Sequence, residues 1–351
     1  MADELDGLTT VPHDGMAGSA RAYGRVALGH DAGLAQGTVV RGVPRSEDGG
    51  APVTVGSGSA VLENSVVVGW AAAPVRIGSR TVFGHRCLVL GATVGHLCEI
   101  GNGSILLPGA VLGDRVMLGE GTLVPAGATV PDDAVVVGRP GRRIRSLGDD
   151  DLARLRSLRG GHLDLDDRPA RLVADHPAPE GPMGTLYEYR GTTPTIDPTA
   201  TVFDTAEITG DVHVGPRTII GSGVRIIGDS HGPVRIGADV QILENAVLHL
   251  LPDNELVIDD GVVIGPGAMI HGCHLGAGTV VEPGANVCDW SVVGAGSVVR
   301  AGSLVRQRDE HPDRSVLEGF PARAVASLDA DPPRPPWAFD PGDLPTLRRL
   351  G

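Results

Sequence analysis

The sequence predicts an all-β protein made of two tandem parallel β-helix domains with short flanking helices. Three observations predict this fold. Aliphatic residues recur at every sixth position in both halves of the chain, and the two halves repeat each other at a fixed offset. The composition is rich in turn formers, with Gly 52 and Pro 27, and only 3% of the residues are aromatic. A core without aromatic rings has to be filled by small aliphatic side chains in a narrow, regular space.

The six-residue period is neither the 3.6-residue period of a helix nor the two-residue alternation of a half-buried strand. A coil of triangular cross-section satisfies it, because each of three short strands then points one aliphatic side chain inward and small residues turn the corners. In the first half the aliphatic positions are Val94, Ile100, Leu106, Leu112, Leu118, Val124, Val130 and Val136. In the second half they are Leu275, Val281, Val287, Val293, Val299 and Val305.

The two arrays are copies of one another. The triplet Leu-Glu-Asn at 62–64 recurs at 243–245, and the same offset of 181 residues carries Pro140 to Pro321 without a gap. Both copies also shorten one coil to five residues at the same place, between Val89 and Val94 and between Ile270 and Leu275. This shared irregularity indicates duplication of an ancestral array more strongly than the shared period does.

The domain boundaries follow from where the period begins and ends. The segment DDDLARLRSLRG after the first array has an acidic start and a basic end, which predicts a short helix. We therefore expect a polar N-terminal tail over 1–20, a first domain with its C-terminal helix over 21–159, a linker over 160–192, a second domain over 193–328, and an extended proline-rich tail over 329–351.

The formal net charge of −14 disfavours nucleic-acid binding, because an acidic surface repels phosphate backbones. All basic residues other than histidine are arginines, which excludes Schiff-base chemistry on lysine and a P-loop lysine. The sequence contains no signal-peptide pattern and no long apolar run, so we expect a cytoplasmic protein without a membrane partner. Four cysteines form no C-x-x-C pair and are expected to fill small spaces in the core: Cys87, Cys98, Cys273 and Cys288.

Both copies carry a set of motifs around the shortened coil. The first reads ENSVVV, FGHRCLVLGA and VVGRPG, and the second reads ENAVLH, IGPGAMIHGC and LEGFPA. In this order and spacing they resemble the γ-class carbonic anhydrases and their hexapeptide-repeat relatives, over most of the repeat region. The resemblance implies a left-handed β-helix. It also implies a catalytic metal held by three histidines, two from one subunit and the third from a neighbouring subunit.

The family's three ligand positions fall, in order, on the following pairs in the first and second copies: Val68 and His249, His85 and Pro266, Leu90 and His271. Neither copy has a full set, yet the two sets are complementary. The resemblance therefore implies one three-histidine site shared between the two domains, in the same chain or in a neighbouring one. Three imidazoles with an open fourth position are typical of catalytic zinc, and Fe²⁺ or Co²⁺ would also suit them. Such a site activates water near neutral pH.

A second pair is divided between the copies in the same way. The family has an R-G-D segment whose Arg and Asp pair between subunits. The first copy keeps Arg41 and the second keeps Asp229, which implies an interface pair between the two domains. An acidic residue near the metal water of the family falls on Glu63 and Glu244, so that either is a candidate proton acceptor or ligand-orienting group. The alternative for both is a solvent-facing charge at a corner.

The sequence departs from the family at two places. The family's glutamine that contacts the metal-bound water is replaced by Leu62 and Leu243, and the glutamate-bearing proton-shuttle loop is absent. Both departures favour an apolar pocket that could accept a larger substrate. Trp70 is predicted either to cover the site or simply to pack. His274 is near enough in sequence to His271 to support it, although a solvated surface position is the favoured alternative for both His96 and His274.

Three function classes remain open from the sequence. The first is a metal-dependent lyase or hydrolase that acts on CO2 or a small organic substrate. The second is a transferase that uses acyl-CoA or an acyl carrier, since many hexapeptide proteins have that activity. The third is a metal-free scaffold left by decay of a duplicated enzyme. Metal analysis separates the third class from the first.

Overall fold

The computed structural model describes residues 16–43, 51–165, 171–172, 176–177, 184–229, 232–342, 344 and 348–350. The chain forms two compact units. The first comprises residues 1–178 together with 340–351, and the second comprises residues 179–339. Each unit contains one of the two repeat arrays, and each array is a left-handed parallel β-helix.

The strands of the first unit are short, because each needs to point only one aliphatic side chain into the coil. In chain order they are β1 (Arg21–Gly24), β2 (Val26–Leu28), β3 (Gly33–Leu34), β4 (Val39–Val43), β5 (Val53–Val55), β6 (Ala60–Val61), β7 (Val66–Trp70), β8 (Val75–Ile77), β9 (Val82–Phe83), β10 (Leu88–Leu90), β11 (Thr93–Val94), β12 (Glu99–Ile100), β13 (Ile105–Leu106), β14 (Val111–Leu112), β15 (Met117–Leu118), β16 (Leu123–Val124), β17 (Thr129–Val130), β18 (Ala134–Val137), β19 (Arg142–Ser146), β20 (Arg171–Leu172) and β21 (His176–Pro177).

These strands form the three faces of a triangular coil. The parallel ladders run β1-β4-β7-β10-β13-β16, β2-β5-β8-β11-β14-β17 and β3-β6-β9-β12-β15-β18, so that every third strand is a neighbour. Antiparallel strands close the ends: β19 pairs with β18, and β20 pairs with β2. The aliphatic residues of the six-residue period are buried inside, as Val94, Leu106 and Val124 illustrate.

The second unit repeats this construction. Its strands are β22 (Thr185–Tyr187), β23 (Thr195–Ile196), β24 (Thr201–Val202), β25 (Glu207–Gly210), β26 (Val212–Val214), β27 (Ile219–Ile220), β28 (Arg225–Gly228), β29 (Val234–Ile236), β30 (Gln241–Ile242), β31 (Val247–Leu248), β32 (Leu256–Ile258), β33 (Val263–Ile264), β34 (Met269–Ile270), β35 (His274–Leu275), β36 (Val280–Val281), β37 (Asn286–Val287), β38 (Val292–Val293), β39 (Val298–Val299), β40 (Leu304–Val305), β41 (Glu310–His311), β42 (Ser315–Gly319) and β43 (Ala322–Ser327).

The ladders of the second unit run β22-β25-β28-β31-β34-β37-β40, β23-β26-β29-β32-β35-β38-β41 and β24-β27-β30-β33-β36-β39-β42, and β43 closes the last one. The period continues inside the coil, where Leu275, Val287 and Val299 are buried. Corner positions require left-handed backbone in both copies: Asn64 has φ 57° and Asn245 has φ 56°. Asparagine tolerates this conformation better than most other side chains, which explains its repetition in the two Leu-Glu-Asn triplets.

The helix predicted after the first array is present as α1 (Asp149–Leu158). Its start is favoured by three aspartates and by the Asp151 side chain, which accepts a hydrogen bond from the Gly148 N–H (2.8 Å). Leu155 is fully buried, and the following Arg159 binds Glu99 of β12 with an Nη2–Oε1 distance of 2.7 Å. The helix is thereby fixed to the side of the first coil.

Three segments outside the predicted arrays join the structure. Met16 forms a parallel bridge with Leu34, so part of the region predicted as a tail over 1–20 joins the first coil. Strand β22 lies inside the predicted linker over 160–192 and pairs with β25 as the first rung of the second coil. A strand β44 (Arg348–Leu350) pairs antiparallel with β1. The period alone could not mark these rungs, because edge strands need fewer inward aliphatic residues.

The proline-rich segment predicted as an extended tail is anchored to the second unit at its Phe339. The ring stacks on Phe203 with centroids 5.3 Å apart, and Phe339 exchanges two backbone hydrogen bonds of 2.8 Å with the buried side chain of Gln241. A buried amide needs both a donor and an acceptor as partners, and this segment supplies them. No helix in the described ranges is long and apolar enough to cross a bilayer.

Candidate metal centre

His249 and His271 lie on neighbouring rungs of the second coil. His249 directly follows β31, and His271 directly follows β34. The last residues of these two strands, Leu248 and Ile270, are partners in the parallel ladder. Rungs of a sheet are about 4.8 Å apart, so side chains at matching positions are neighbours. The two imidazole centroids are 5.8 Å apart, and the rings are inclined by 86°. Two imidazoles on one tetrahedral zinc have ring centres about 5 Å apart. The structure thus brings together both ligand positions predicted in the second copy.

Each of these rings has a carboxylate beside it. The Nε2 atom of His249 is 3.5 Å from Oδ2 of Asp229, and both side chains are partly exposed. The Nδ1 atom of His271 is 3.3 Å from Oδ2 of Asp289, which is only 4% exposed. Asp289 was not singled out from the sequence. Comparing the copies position by position would have flagged it, because the corresponding residue in the first copy is Pro108.

The same two rungs of the first coil are apolar. Val68 and Leu90 are ladder partners and are fully buried. Trp70 is 7% exposed and lies against Gly91, where an added Cβ would stand 3.1 Å from the indole Cη2 atom. Of the two alternatives for Trp70, the structure of the first unit supports ordinary packing. The first copy therefore contributes no ligand at these two positions.

His85 occupies a corner of the first coil, between β9 and β10. Its Nδ1 atom is 2.7 Å from Oε2 of Glu63 on the preceding rung, and both side chains are nearly half exposed. The ring N–H is not directed at this oxygen, so the contact is an ion pair when the imidazole is protonated rather than an aligned hydrogen bond. The backbone N–H of His85 donates to Oδ1 of Asn102 (2.7 Å), which fixes the corner. The second copy has Pro266 at the matching position.

The remaining predicted residues differ in exposure. Glu244 is 1% exposed, so it is not a solvent-facing corner charge, whereas Glu63 remains at the surface beside His85. Arg41 is fully buried in β4, and its ladder partner is Val68. Its pairing with Asp229 stays a prediction, because the two residues belong to different units.

The joining of His85 with the two histidines of the second copy is likewise a prediction, since they too belong to different units. Within the part of the chain that the structure describes, no three His, Cys, Asp or Glu side chains are gathered closely enough to hold a metal ion. The structure therefore provides a pair of neighbouring imidazoles in the second unit, while the imidazole of His85 lies in the first.

The other two histidines near the shortened coil have local partners. The Nδ1 atom of His96 accepts a hydrogen bond from the backbone N–H of Ser79 (2.9 Å). The Nε2 atom of His274 lies 2.9 Å from Oδ2 of Asp259, and both of these side chains are exposed. The exposed pair agrees with the surface position favoured for His274, whereas His96 is partly buried and bonded to the backbone.

The cysteines behave as core residues, with one exception. Burial raises the pKa of the Cys87 and Cys98 thiols to about 12 and raises that of Cys273 further. Cys288 is only partly buried, and its pKa is also raised, first by burial and then by the nearby Asp289. A thiol with a raised pKa is a poor metal ligand and a poor nucleophile at neutral pH.

A cavity of about 410 Å³ lies at the C-terminal end of the second coil and includes none of the predicted site residues. Its wall contains His311, which occupies the aliphatic position that Val130 fills in the first copy. Desolvation lowers the pKa of His311, and nearby Asp309 partly opposes this shift while Arg306 adds to it. The imidazole Nε2 is buried without a hydrogen-bond partner in the described structure.

The fold and these motifs have counterparts in known proteins. A family model described as "Hexapeptide repeat of succinyl-transferase" matches residues 74–108 and 271–301. A carbonic anhydrase of Geobacillus kaustophilus is 36% identical over 146 residues, which is 42% of this chain and 80% of that protein. This chain belongs to the γ-carbonic anhydrase-like family of hexapeptide-repeat proteins.

A second relative is also similar. The carnitine operon protein CaiE of Escherichia coli K12 is 33% identical over 147 residues, which is 42% of this chain and 74% of that protein. Among solved structures, a hexapeptide transferase family protein from Anaplasma phagocytophilum is 31% identical, with a TM-score of 0.40 over 41% of this chain and 84% of that one. Each of these matches spans less than half of the duplicated chain.

Proposed function

We propose that this protein is a metal-dependent enzyme of the γ-carbonic anhydrase type, with one site built from His85, His249 and His271. It acts as a lyase or hydrolase on CO2 or a small organic substrate. The observation that carries the proposal is the pair of imidazoles on adjacent rungs of the second coil, with centroids 5.8 Å apart. The same positions in the first coil are buried aliphatic residues.

The donor set fits a metal of the proposed kind. Three neutral imidazoles suit Zn²⁺, Fe²⁺ or Co²⁺, and they leave a fourth position for water or substrate. When bound, such an ion supplies a Lewis acid that activates water near neutral pH. His249 and His271 would hold the ion from one side, and His85 would complete the set.

The protein's own residues would orient the ligands and exclude water. Glu63 lies on the Nδ1 side of His85, 2.7 Å from that atom, which leaves Nε2 for the metal. Glu244 is the candidate proton acceptor, since it is a buried carboxylate at the position of the family's acidic residue near the metal-bound water. The fully buried Leu243 replaces a polar partner of water, which favours an apolar substrate such as CO2 or a larger organic molecule.

The proposal makes one structural demand. His85 has to meet His249 and His271 in the assembled protein, either within one chain or between neighbouring chains. The buried pair predicted from Arg41 and Asp229 would then fix which faces meet, because a desolvated Arg–Asp pair specifies geometry more than it adds stability.

The test is elemental analysis of the purified full-length protein, followed by a stopped-flow assay of CO2 hydration. We expect close to one equivalent of metal per chain, and loss of that metal to a strong chelator. A chain that takes up no zinc, iron or cobalt, even after reconstitution, contradicts the proposal. Metal without CO2 hydration supports the class and directs the search to ester, amide or lyase substrates.

An acyltransferase is the second candidate, and two observations favour it. The matching family model is named for a succinyl-transferase, and His271 has a carboxylate at its Nδ1 side, as an imidazole general base requires. Release of free thiol from acyl-CoA in the presence of amine or alcohol acceptors would support this candidate. Because such transfer needs no metal, it should survive the chelator that abolishes the first activity. A protein with neither metal nor turnover would be a scaffold.

A further inference from the structure

Asp289 is a buried carboxylate that the proposed site does not yet use. It follows β37, and its side chain is 4% exposed. Its Oδ1 atom accepts hydrogen bonds from the backbone N–H of Leu251 (3.1 Å) and from the side-chain amide of Asn254 (3.2 Å). Its Oδ2 atom lies 3.3 Å from Nδ1 of His271, a charged contact rather than an aligned hydrogen bond. We propose that Asp289 is a positioning residue that holds His271 with Nδ1 turned inward and Nε2 available to a metal ion.

The burial of this carboxylate favours its contact with His271. A carboxylate removed from water is strongly destabilised unless it is paired and hydrogen-bonded. In the described structure the ion pair of Asp289 is with His271 and not with an arginine. The imidazole is therefore its compensating group, and it fills that role best when Nδ1 carries a proton. An imidazole in that form presents a lone pair at Nε2, as a metal ligand must.

The loop after His249 is built around the same carboxylate. The Asn254 amide also donates to the carbonyl oxygen of Gly272 (2.6 Å), the residue after His271. A Cβ atom added at Gly272 would stand 2.2 Å from Nδ2 of Asn254, so glycine is required for the amide to pass. Asp289 and Asn254 thus tie the loop to the rung that carries His271.

The first copy serves as an internal control. At the offset of 181 residues, His271 becomes Leu90, Asp289 becomes Pro108 and Asn254 becomes Ala73. The loop still closes on the corresponding glycine, where Ala73 and Trp70 pack against Gly91. The same backbone therefore closes with apolar contacts when no imidazole is present. The polar network accompanies the histidine, which is expected if its task is to orient that ring.

This inference rests on the proposed metal site, and the first experiment measures zinc affinity directly. The full-length Asp289→Asn variant keeps an oxygen for Leu251 and Asn254 but presents an N–H to Nδ1 of His271. That N–H favours the imidazole form with its proton on Nε2, which blocks coordination. We expect zinc affinity, measured by competition with a chromophoric chelator, to fall about 10- to 100-fold.

The matched control is Asp259→Asn. Asp259 and His274 form an exposed Asp–His pair in the same unit, with a distance of 2.9 Å. Zinc affinity should remain at the wild-type value in this variant. Equal affinities for the wild type and a folded Asp289→Asn variant would overturn the inference.

A second measurement keeps the inference separate from the proposed function. A long-range ¹H–¹⁵N spectrum of metal-free wild-type protein at neutral pH reports which ring nitrogen carries the proton, and the His271→Gln variant assigns the signal. We expect the proton of His271 on Nδ1 in the wild type and on Nε2 in Asp289→Asn. A proton on Nε2 in the wild type overturns the inference. A proton on Nδ1 in a protein that binds no zinc supports the inference while refuting the metal enzyme.

Discussion

The two copies of the array place the same backbone positions on adjacent rungs but fill them in opposite ways. In the first unit Val68 and Leu90 are buried ladder partners. In the second unit His249 and His271 occupy these positions, and their rings approach each other edge to face. The repeat therefore fixes the position of a side chain on the coil. The residue at that position and its immediate partners set its chemistry.

At a neighbouring corner of the coil, the first unit carries the imidazole and the second does not. His85 contacts Glu63 in the first unit, and the second unit has Pro266 there while its Glu244 is buried. Random loss of ligands after duplication would not be expected to leave each position filled once. The division of polar groups between the copies is therefore the feature that the following predictions are designed to test.

The largest expected effect is loss of the metal from either copy. His85→Ala should release zinc as completely as His271→Ala, because three imidazoles share one ion and two of them hold it much more weakly. Elemental analysis after gel filtration measures this. His274→Ala is the control and should keep its zinc, since that imidazole pairs with Asp259 at the surface. Stoichiometric zinc in His85→Ala would show that the first copy contributes no ligand.

The next effect concerns the apolar filling of the first copy. Trp70→Ala should lower the free energy of unfolding of the first unit by about 3 kcal/mol, because it removes a buried indole that packs on Gly91. Urea denaturation followed by circular dichroism measures the loss. Trp290→Ala in the second unit should cost about 1 kcal/mol, since that partly exposed ring has Arg308 stacked over it at 4.4 Å. Equal losses of unfolding free energy in Trp70→Ala and Trp290→Ala would contradict a special role for Trp70 in the apolar packing of the first copy.

A smaller, pH-dependent effect is expected at the ends of the two coils, where Val130 corresponds to His311. The pKa of His311 in the folded protein lies below its ordinary value of 6.5. Between pH 6.5 and the lower pKa that His311 has in the folded state, the unfolded chain binds a proton at this histidine that the folded chain does not. The folded state is therefore destabilised as the pH falls through this window.

His311→Val should remove that dependence and should raise stability at pH 7 by about 1 kcal/mol, because a buried Nε2 atom without a hydrogen-bond partner in the described structure disappears. Urea midpoints between pH 5 and 8 test both expectations. His213→Val, which alters an exposed histidine paired with Asp211, should give no comparable gain. A His311→Val variant that is less stable than the wild type at every pH would show that the imidazole has a structural partner.

The smallest effect is a difference in thiol reactivity. Cys288 should react first with an alkylating reagent, because it is the only partly buried cysteine of the four. Cys87 and Cys98 should react only on unfolding, since burial raises their pKa to about 12 and leaves almost no thiolate at neutral pH. Mass spectrometry of peptides after timed alkylation measures the order. Rapid labelling of Cys87 would indicate local opening of the first coil.

Much of the fold could be predicted because the period is a direct consequence of its geometry. The inward positions from Val94 to Val136, and the helix that begins at Asp149, lie where the sequence predicts them. The rungs at Met16 and β22 could not be predicted, since an end rung has a neighbour on only one side and tolerates polar residues. The anchored Phe339 was also unpredictable, because its partners Phe203 and Gln241 are distant in sequence.

The candidate site was also predictable only in part from the sequence. The resemblance to the γ-class carbonic anhydrases implied His249 and His271 as ligand positions, and the structure places them on neighbouring rungs because one turn of the coil returns the chain to the same face. The role of Asp289 could not be predicted, since its contacts depend on a loop from the preceding turn. Nor could the sequence distinguish the buried Glu244 from the surface Glu63, because both occupy the same position of identical triplets.

The amino-acid sequence is enough to predict a duplicated β-helix, the aliphatic residues that point inward and the copy that carries each candidate ligand. This is possible because a six-residue period and a fixed offset are properties of the chain alone. The carboxylate that faces each imidazole, and the way each loop closes over its rung, depend on the folded coil. Those contacts join residues from different turns of the coil, where distance depends on packing and not on separation along the chain.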